Sequence, residues 1–245
     1  MLSKQNISKI RSLSQKKVRM REKLFVAEGP KVCEELLQSD LEVTDVFGES
    51  SWFSSNMHLL KSRSTRMHEV DGNELKKISF LRTPNEVLCI ARIPEKQALD
   101  EKKALLCLDE INDPGNLGTI LRTADWFGVE DVLLSNSSVD PYNEKTVMAS
   151  MGSLFRVNLH QADLGEFLMK QDAGRIYAAH PRGGNASGPQ IDNPIFLFGS
   201  ESHGLGSDLL KVSGNRITIP GAGKTESLNL GISVGIVLSG WFQNR

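Results

Sequence analysis

The chain has 245 residues, 39% of them hydrophobic and 24% charged, with a formal net charge of −1. This is ordinary globular composition, too rich in large apolar residues for a disordered segment and long enough for one large or two smaller domains. Three unpatterned cysteines (Cys33, Cys89, Cys107) give no disulfide framework or metal-like spacing and suggest a reducing compartment, the cytoplasm. The start, MLSKQNISKI, lacks the apolar core of a secretory signal, and the longest apolar run, Leu228–Phe242, is shorter than the roughly 20 residues a membrane span needs.

Charge is unevenly placed. Residues 1–98 carry a net +4 and residues 99–245 a net −5. Eight basic residues, among them Lys16, Lys17, Arg19 and Arg21, fall in the first 23 positions against the single acid Glu22. Such a stripe can neutralise phosphates; a solvated helix face is the plainer reading.

In chain order, the basic opening reads as helical. Leu24–Ala27 reads as a short strand, Gly29–Pro30 as a turn, and Val32, Leu36 and Leu37 as one helical stripe. Residues 41–49 and 86–94 are β-rich. Residues 1–93 thus form a small α/β unit, followed by a charged linker over 94–103. From 104 onward strand-like runs (104–111, 129–136, 175–180, 193–201, 216–221) alternate with helical ones, of which 116–128 and 228–243 are the clearest. Alternation of this kind predicts a parallel sheet covered on both faces, with ligands held in loops beyond the carboxyl ends of the strands. Three such loops, 112–118, 199–206 and 220–229, are rich in Gly, Asn, Ser and acid.

Several familiar patterns fail. GAGKTES (221–227) contains the GKT of a phosphate loop, but Thr218 stands where the first glycine is required. The glycines at 199, 204 and 206 do not match the dinucleotide spacing, and no GxSxG occurs. The histidines at 58, 68, 160, 180 and 203 form no i, i+3 or i, i+4 pair, so no metal site is expected.

Three segments remain: DEINDPGNLGTILRTADWFG (109–128), IFLFGSESHGLG (195–206) and ITIPGAGKTESLNLGISVGI (217–236). In this order and spacing they resemble the signature motifs of the SpoU (TrmH-like) branch of the SPOUT RNA methyltransferases. Residues 1–93 more loosely resemble the L30e-like substrate-binding domain often found ahead of it. The resemblance implies an α/β catalytic domain over 104–245 with a deep C-terminal trefoil knot, S-adenosylmethionine as cofactor, a homodimer, and methylation of a ribose 2′-hydroxyl in ribosomal or transfer RNA, ribosomal by preference. It places Asn116, Arg122, Glu201, Ser227 and Asn229 in catalysis. It places the cofactor against Leu197, Phe198, Gly199, Ile219, Pro220, Gly221, Ser227 and Leu228. Arg122 is expected to bind phosphate or stabilise a developing alkoxide, since an arginine stays protonated; the family account treats it as a base. Asn116 would orient Arg122 or the ribose, and Glu201 would hold Arg122. The plainer readings are helix N-capping for Ser227 and Asn229, and an Arg122–Asp125 surface ion pair. A non-catalytic RNA-binding protein of the same fold and a base methyltransferase are the rival functions.

Overall fold

The computed structural model describes residues 2–60, 65–182, 184 and 188–244. Its elements in chain order are α1 (Lys4–Ser12), α2 (Lys16–Glu22), β1 (Leu24–Glu28), α3 (Pro30–Gln38), β2 (Val43–Gly48), α4 (Ser50–Leu60), β3 (Arg66–Glu69), α5 (Gly72–Ile78) and β4 (Val87–Arg92). They continue as β5 (Leu105–Leu108), α6 (Pro114–Trp126), β6 (Asp131–Ser135), α7 (Glu144–Ser150), β7 (Asn158–Ala162), α8 (Leu164–Leu168), β8 (Ile176–Ala179), β9 (Ile195–Phe198), α9 (Ser207–Val212), β10 (Asn215–Ile217) and α10 (Leu230–Gln243). The chain divides into two compact units, 1–95 with 140–155, and 96–139 with 156–245.

The first unit is a four-stranded sheet in the order β1-β4-β2-β3, antiparallel except for the parallel β2–β3 pair. On one face α1 and α5 cover a core that includes Ile10, Leu13, Val26, Leu75, Ile78 and Leu88. Helix α5 is started by a capping box in which Asp71 and Glu74 each accept the other's backbone N–H. The expected stripe of α3 is observed, with Val32, Cys33, Leu36 and Leu37 all buried.

The sequence alone assigned 140–155 to the second domain, yet these residues pack with the first. Burial explains the difference. Phe25 of β1 is fully buried and its ring meets those of Tyr142 (5.2 Å between centroids) and Phe155 (6.1 Å). Arg19, expected to lie on the basic face, is instead 2% exposed. Its Nε and Nη2 donate to Asp140 Oδ2 at 2.9 and 2.6 Å, and Nη1 donates to the carbonyls of Leu13 and Ser14 at 2.7 and 2.8 Å. A guanidinium can enter a core only with its donors matched in this way. Lys16, Lys17 and Arg21 are exposed on α2, as a cationic surface requires.

The second unit is an all-parallel six-stranded sheet in the order β10-β8-β9-β5-β6-β7. One face packs Leu105, Cys107, Ile195 and Leu197 against Leu164, Leu168 and Leu205, with Leu209 and Leu210 beside them. The other face meets α6 and α10, which pack along each other. The fully buried Trp241 stands edge-on to Phe196 at 5.5 Å, and its indole N–H donates to Ile191 O at 2.9 Å. Strand β7, amphipathic and only half-buried, was not anticipated from the sequence.

Because a buried charge left without its partner is costly, Asp140→Ala should lower stability by about 3–5 kcal/mol. Glu130→Ala, which breaks the exposed Lys103–Glu130 pair (2.7 Å), should lower it by less than about 1 kcal/mol. Urea unfolding of the full chain compares the two, and equal losses would mean that the buried pair is not a structural anchor.

Candidate active site

The site lies at the carboxyl ends of β5, β9 and β10. After β5 the chain reaches Asp113, whose Oδ1 accepts from Asn116 N (2.8 Å), and Pro114 occupies the first turn. An acceptor at the cap followed by a proline that needs no donor is a strong helix start. It fixes Asn116 at the mouth of α6.

After β9 the loop turns back at once. Ser200 O accepts from Gly204 N at 2.9 Å, and Gly204 has φ +66°. A Cβ on Gly199 would lie 2.2 Å from Gly204 O, so only glycine fits there. This turn brings Glu201 towards α10.

Asn229 is the N-cap of α10, its Oδ1 accepting from Ile232 N (3.3 Å). Its Nδ2 donates to Asn116 Oδ1 (2.9 Å) and to Glu201 Oε1 (3.0 Å). Glu201 Oε1 also accepts from Leu230 N at 3.2 Å. One amide therefore caps a helix with its oxygen and joins the other two loops with its nitrogen. Helix capping and the link to the other two loops are combined in one side chain.

The remaining expected residues fall as follows. Arg122 is exposed on α6 and has no hydrogen-bond or ion-pair partner among the described residues. Its expected contacts to Asn116 and Glu201 are not made within one chain, since Asn229 occupies both. The Arg122–Asp125 pair is also absent, because Asp125 Oδ2 accepts from Arg156 Nε (3.0 Å) and Nη2 (2.9 Å). Leu197 and Phe198 are core residues of β9, which is paired on both sides by β5 and β8, and Gly199 is buried behind them. Ile219 is half-buried, while Pro220, Gly221, Ser227 and Leu228 are exposed. Among the described residues, the backbone of 219–228 makes no hydrogen bond, so its donors and acceptors remain available to a bound molecule.

Asp109 follows β5 directly, and its N–H donates to Phe198 O at 2.8 Å. Burial raises its carboxyl above the ordinary value, a hydrogen bond from Ser135 opposes this, and Glu110 and Asp163 add to the rise. Burial likewise pushes the Cys107 thiol to about 12, so that thiol is inert. Among the described residues no cluster of three or more His, Cys, Asp or Glu could hold a metal ion, and no helix is long and apolar enough to cross a membrane.

Residues 103–239 match the model of the SpoU rRNA Methylase family. The chain belongs to that family. Residues 4–89 match the MRM3-like substrate binding domain. A curated relative is the 23S rRNA (guanosine(2553)-2′-O)-methyltransferase RlmP of Bacillus subtilis, 26% identical over 96% of this chain and 94% of that protein. An AdoMet-bound rRNA methyltransferase from Sinorhizobium meliloti superposes with a TM-score of 0.86 at 30% identity, covering 99% of this chain and 97% of that one. A TrmH-family protein from Porphyromonas gingivalis superposes with the same TM-score at 32% identity over the whole of both chains. The chain is an RNA methyltransferase, and its cofactor is S-adenosylmethionine.

The tie at Asn229 makes a specific prediction. Asn229→Asp keeps the capping oxygen but sets a second carboxylate against Glu201. Thermal stability should fall by no more than about 1 kcal/mol, while methyl transfer to RNA should fall at least tenfold. Retained transfer would show that the amide donor is not needed.

Proposed function

We propose that this chain methylates a ribose 2′-hydroxyl in ribosomal RNA. The observation that carries the reading is the convergence of Asn116, Glu201 and Asn229 on one hydrogen-bonded centre beside the segment 219–228, whose backbone makes no hydrogen bond among the described residues. Gly199, Ile219, Pro220, Gly221 and Leu228 would hold the adenosine of the cofactor through backbone groups in a partly apolar slot. The cofactor supplies an electrophilic methyl on a sulfonium, which leaves as a neutral thioether.

The chain's own residues must then align the sugar oxygen and deal with its proton. Ser227 and Asn229 border the space for the ribose. Arg122, a guanidinium with no intrachain partner among the described residues, binds the adjacent phosphate or stabilises the oxygen as it loses its proton. Arg122 draws no acceptor from the described residues of its own chain, which fits a role towards RNA or a second subunit.

A second copy of the chain completes this reading. Ile232 (54% exposed), Ile236 (44%) and Phe242 on α10, with Trp126 (82%) on α6, form an apolar surface. A surface of this kind, beside the site, suits an interface rather than water. We further propose that the segment 218–229 passes through the loop before β9, giving the trefoil knot. Gly184 N donates to Thr218 Oγ1 (2.8 Å), and a Cβ on Gly188 would lie 3.7 Å from Trp241 N, consistent with a chain wound closely there. The two domains are taken as a recruiting unit, to which Lys16, Lys17 and Arg21 offer cations, and the methyltransferase unit. Residues 94–103 join them, and a cytoplasmic location follows from the RNA substrate.

Arg122→Ala should abolish methyl transfer to ribosomal RNA, by at least a hundredfold in kcat/KM, with cofactor affinity changed less than about threefold. Tritium transfer from labelled cofactor and calorimetry measure the two. Near-normal turnover would remove Arg122 from the reaction.

A further inference from the structure

Helices α1 and α5 leave part of one face of the first unit's sheet uncovered. The open corner is a cavity of about 450 Å³, walled by Asn6, Lys9 and Ile10 of α1 and floored by Leu24 and Ile90. Cross-strand register puts Asp45 opposite Arg66 and Phe47 opposite His68. The Phe47 and His68 rings are stacked, 4.4 Å between centroids and 9° from parallel. Phe47 is buried, whereas His68 is only half-buried, and both line the cavity.

The polar groups are held in place. Arg66 Nε and Nη2 donate to the two oxygens of Asp45 at 2.8 and 2.7 Å. Burial raises the Asp45 carboxyl, but hydrogen bonds from Arg66, His68 and Thr44 outweigh this and hold it below the ordinary value. It is therefore ionised, and His68 Nε2 must be the donor in its 2.9 Å contact with Asp45 Oδ1. At the rim Arg92 pairs with Glu42 (2.9 Å) and Glu22 with Arg21 (2.9 Å), while Lys9 has no ion-pair partner among the described residues. Arg66 and Arg92 stay largely exposed, with guanidinium N–H groups still directed at solvent.

An apolar floor, a fixed ring stack, an oriented carboxylate and a cationic rim on an open sheet face are the parts needed to hold one nucleotide. A sheet that reads single-stranded RNA stacks bases on rings and leaves phosphates to the surrounding cations. A drug-sized pocket has a comparable volume. We propose that this cavity takes one unpaired nucleotide of the RNA substrate, its base on Ile90 and Leu24 beside the Phe47–His68 stack and its phosphate towards Lys9. Asp45 accepts from an N–H on the base edge. The proposal rests on the recruiting role of the first unit and adds to it the place where that unit reads its RNA.

The test uses the full chain with methyl-labelled isoleucines, titrated with 5′-GMP and, separately, ribose 5-phosphate. Nucleotide should shift the Ile10 and Ile90 methyl signals, with ribose 5-phosphate at least tenfold weaker. His68→Ala and Lys9→Glu, each checked for folding by unchanged cofactor binding, should each weaken binding of a single-stranded oligoribonucleotide about tenfold. No shift at Ile10 and Ile90, or equal affinity for the two probes, overturns the cavity as a base site. RNA affinity unchanged by both variants also overturns it while leaving the recruiting role standing. A wild-type chain that binds no RNA would remove both.

Discussion

The carboxamide of Asn229 decides the shape of the proposed active site. Its oxygen accepts the N–H of Ile232 at the start of α10, and its nitrogen is shared between Asn116 and Glu201. Few side chains could do this. Aspartate could cap but not donate, and serine could not reach two acceptors while capping. Three loops separated by up to 113 positions are thus held at hydrogen-bond distance, and the backbone of 219–228 is left unpaired among the described residues. Close backbone approach at Gly199 makes the arrangement possible by letting the loop after β9 fold back on itself.

The helix that Asn229 starts is built for two environments. Val234, Val237, Leu238 and Trp241 enter the core, and Gly231 lets α10 approach α6 until its missing Cβ would sit 3.1 Å from Thr119 Cγ2. The opposite stripe, Ile232 and Ile236, stays uncovered. Low amphipathicity in the sequence of α10 follows from this: one side is core and the other is apolar surface. That is why the segment reads as wholly buried although half of it is not.

Much of this was legible in advance. The helical run at 116–128, the alternation of strands and helices, and the three loops at strand ends each follow from local chemistry that the fold leaves undisturbed. What could not be read was long-range pairing. Nothing near Arg19 announces that its partner is Asp140, 121 positions away, so a basic stripe looked uniformly exposed when one member is a core residue. The packing of 140–155 on Phe25 is hidden for the same reason. At the site, the pairing among the expected residues was also out of reach: Glu201 and Asn116 accept from Asn229, and neither is turned to Arg122.

If Asn116 and Asn229 act as one unit, a double-mutant cycle will show it. Asn116→Ala, Asn229→Ala and the double variant are compared by kcat/KM for methyl transfer from S-adenosylmethionine to ribosomal RNA. If the shared hydrogen bond builds the site, the second substitution adds little to the first, and the coupling is at least about 1.5 kcal/mol. Effects that simply multiply, with coupling below about 0.5 kcal/mol, would contradict it.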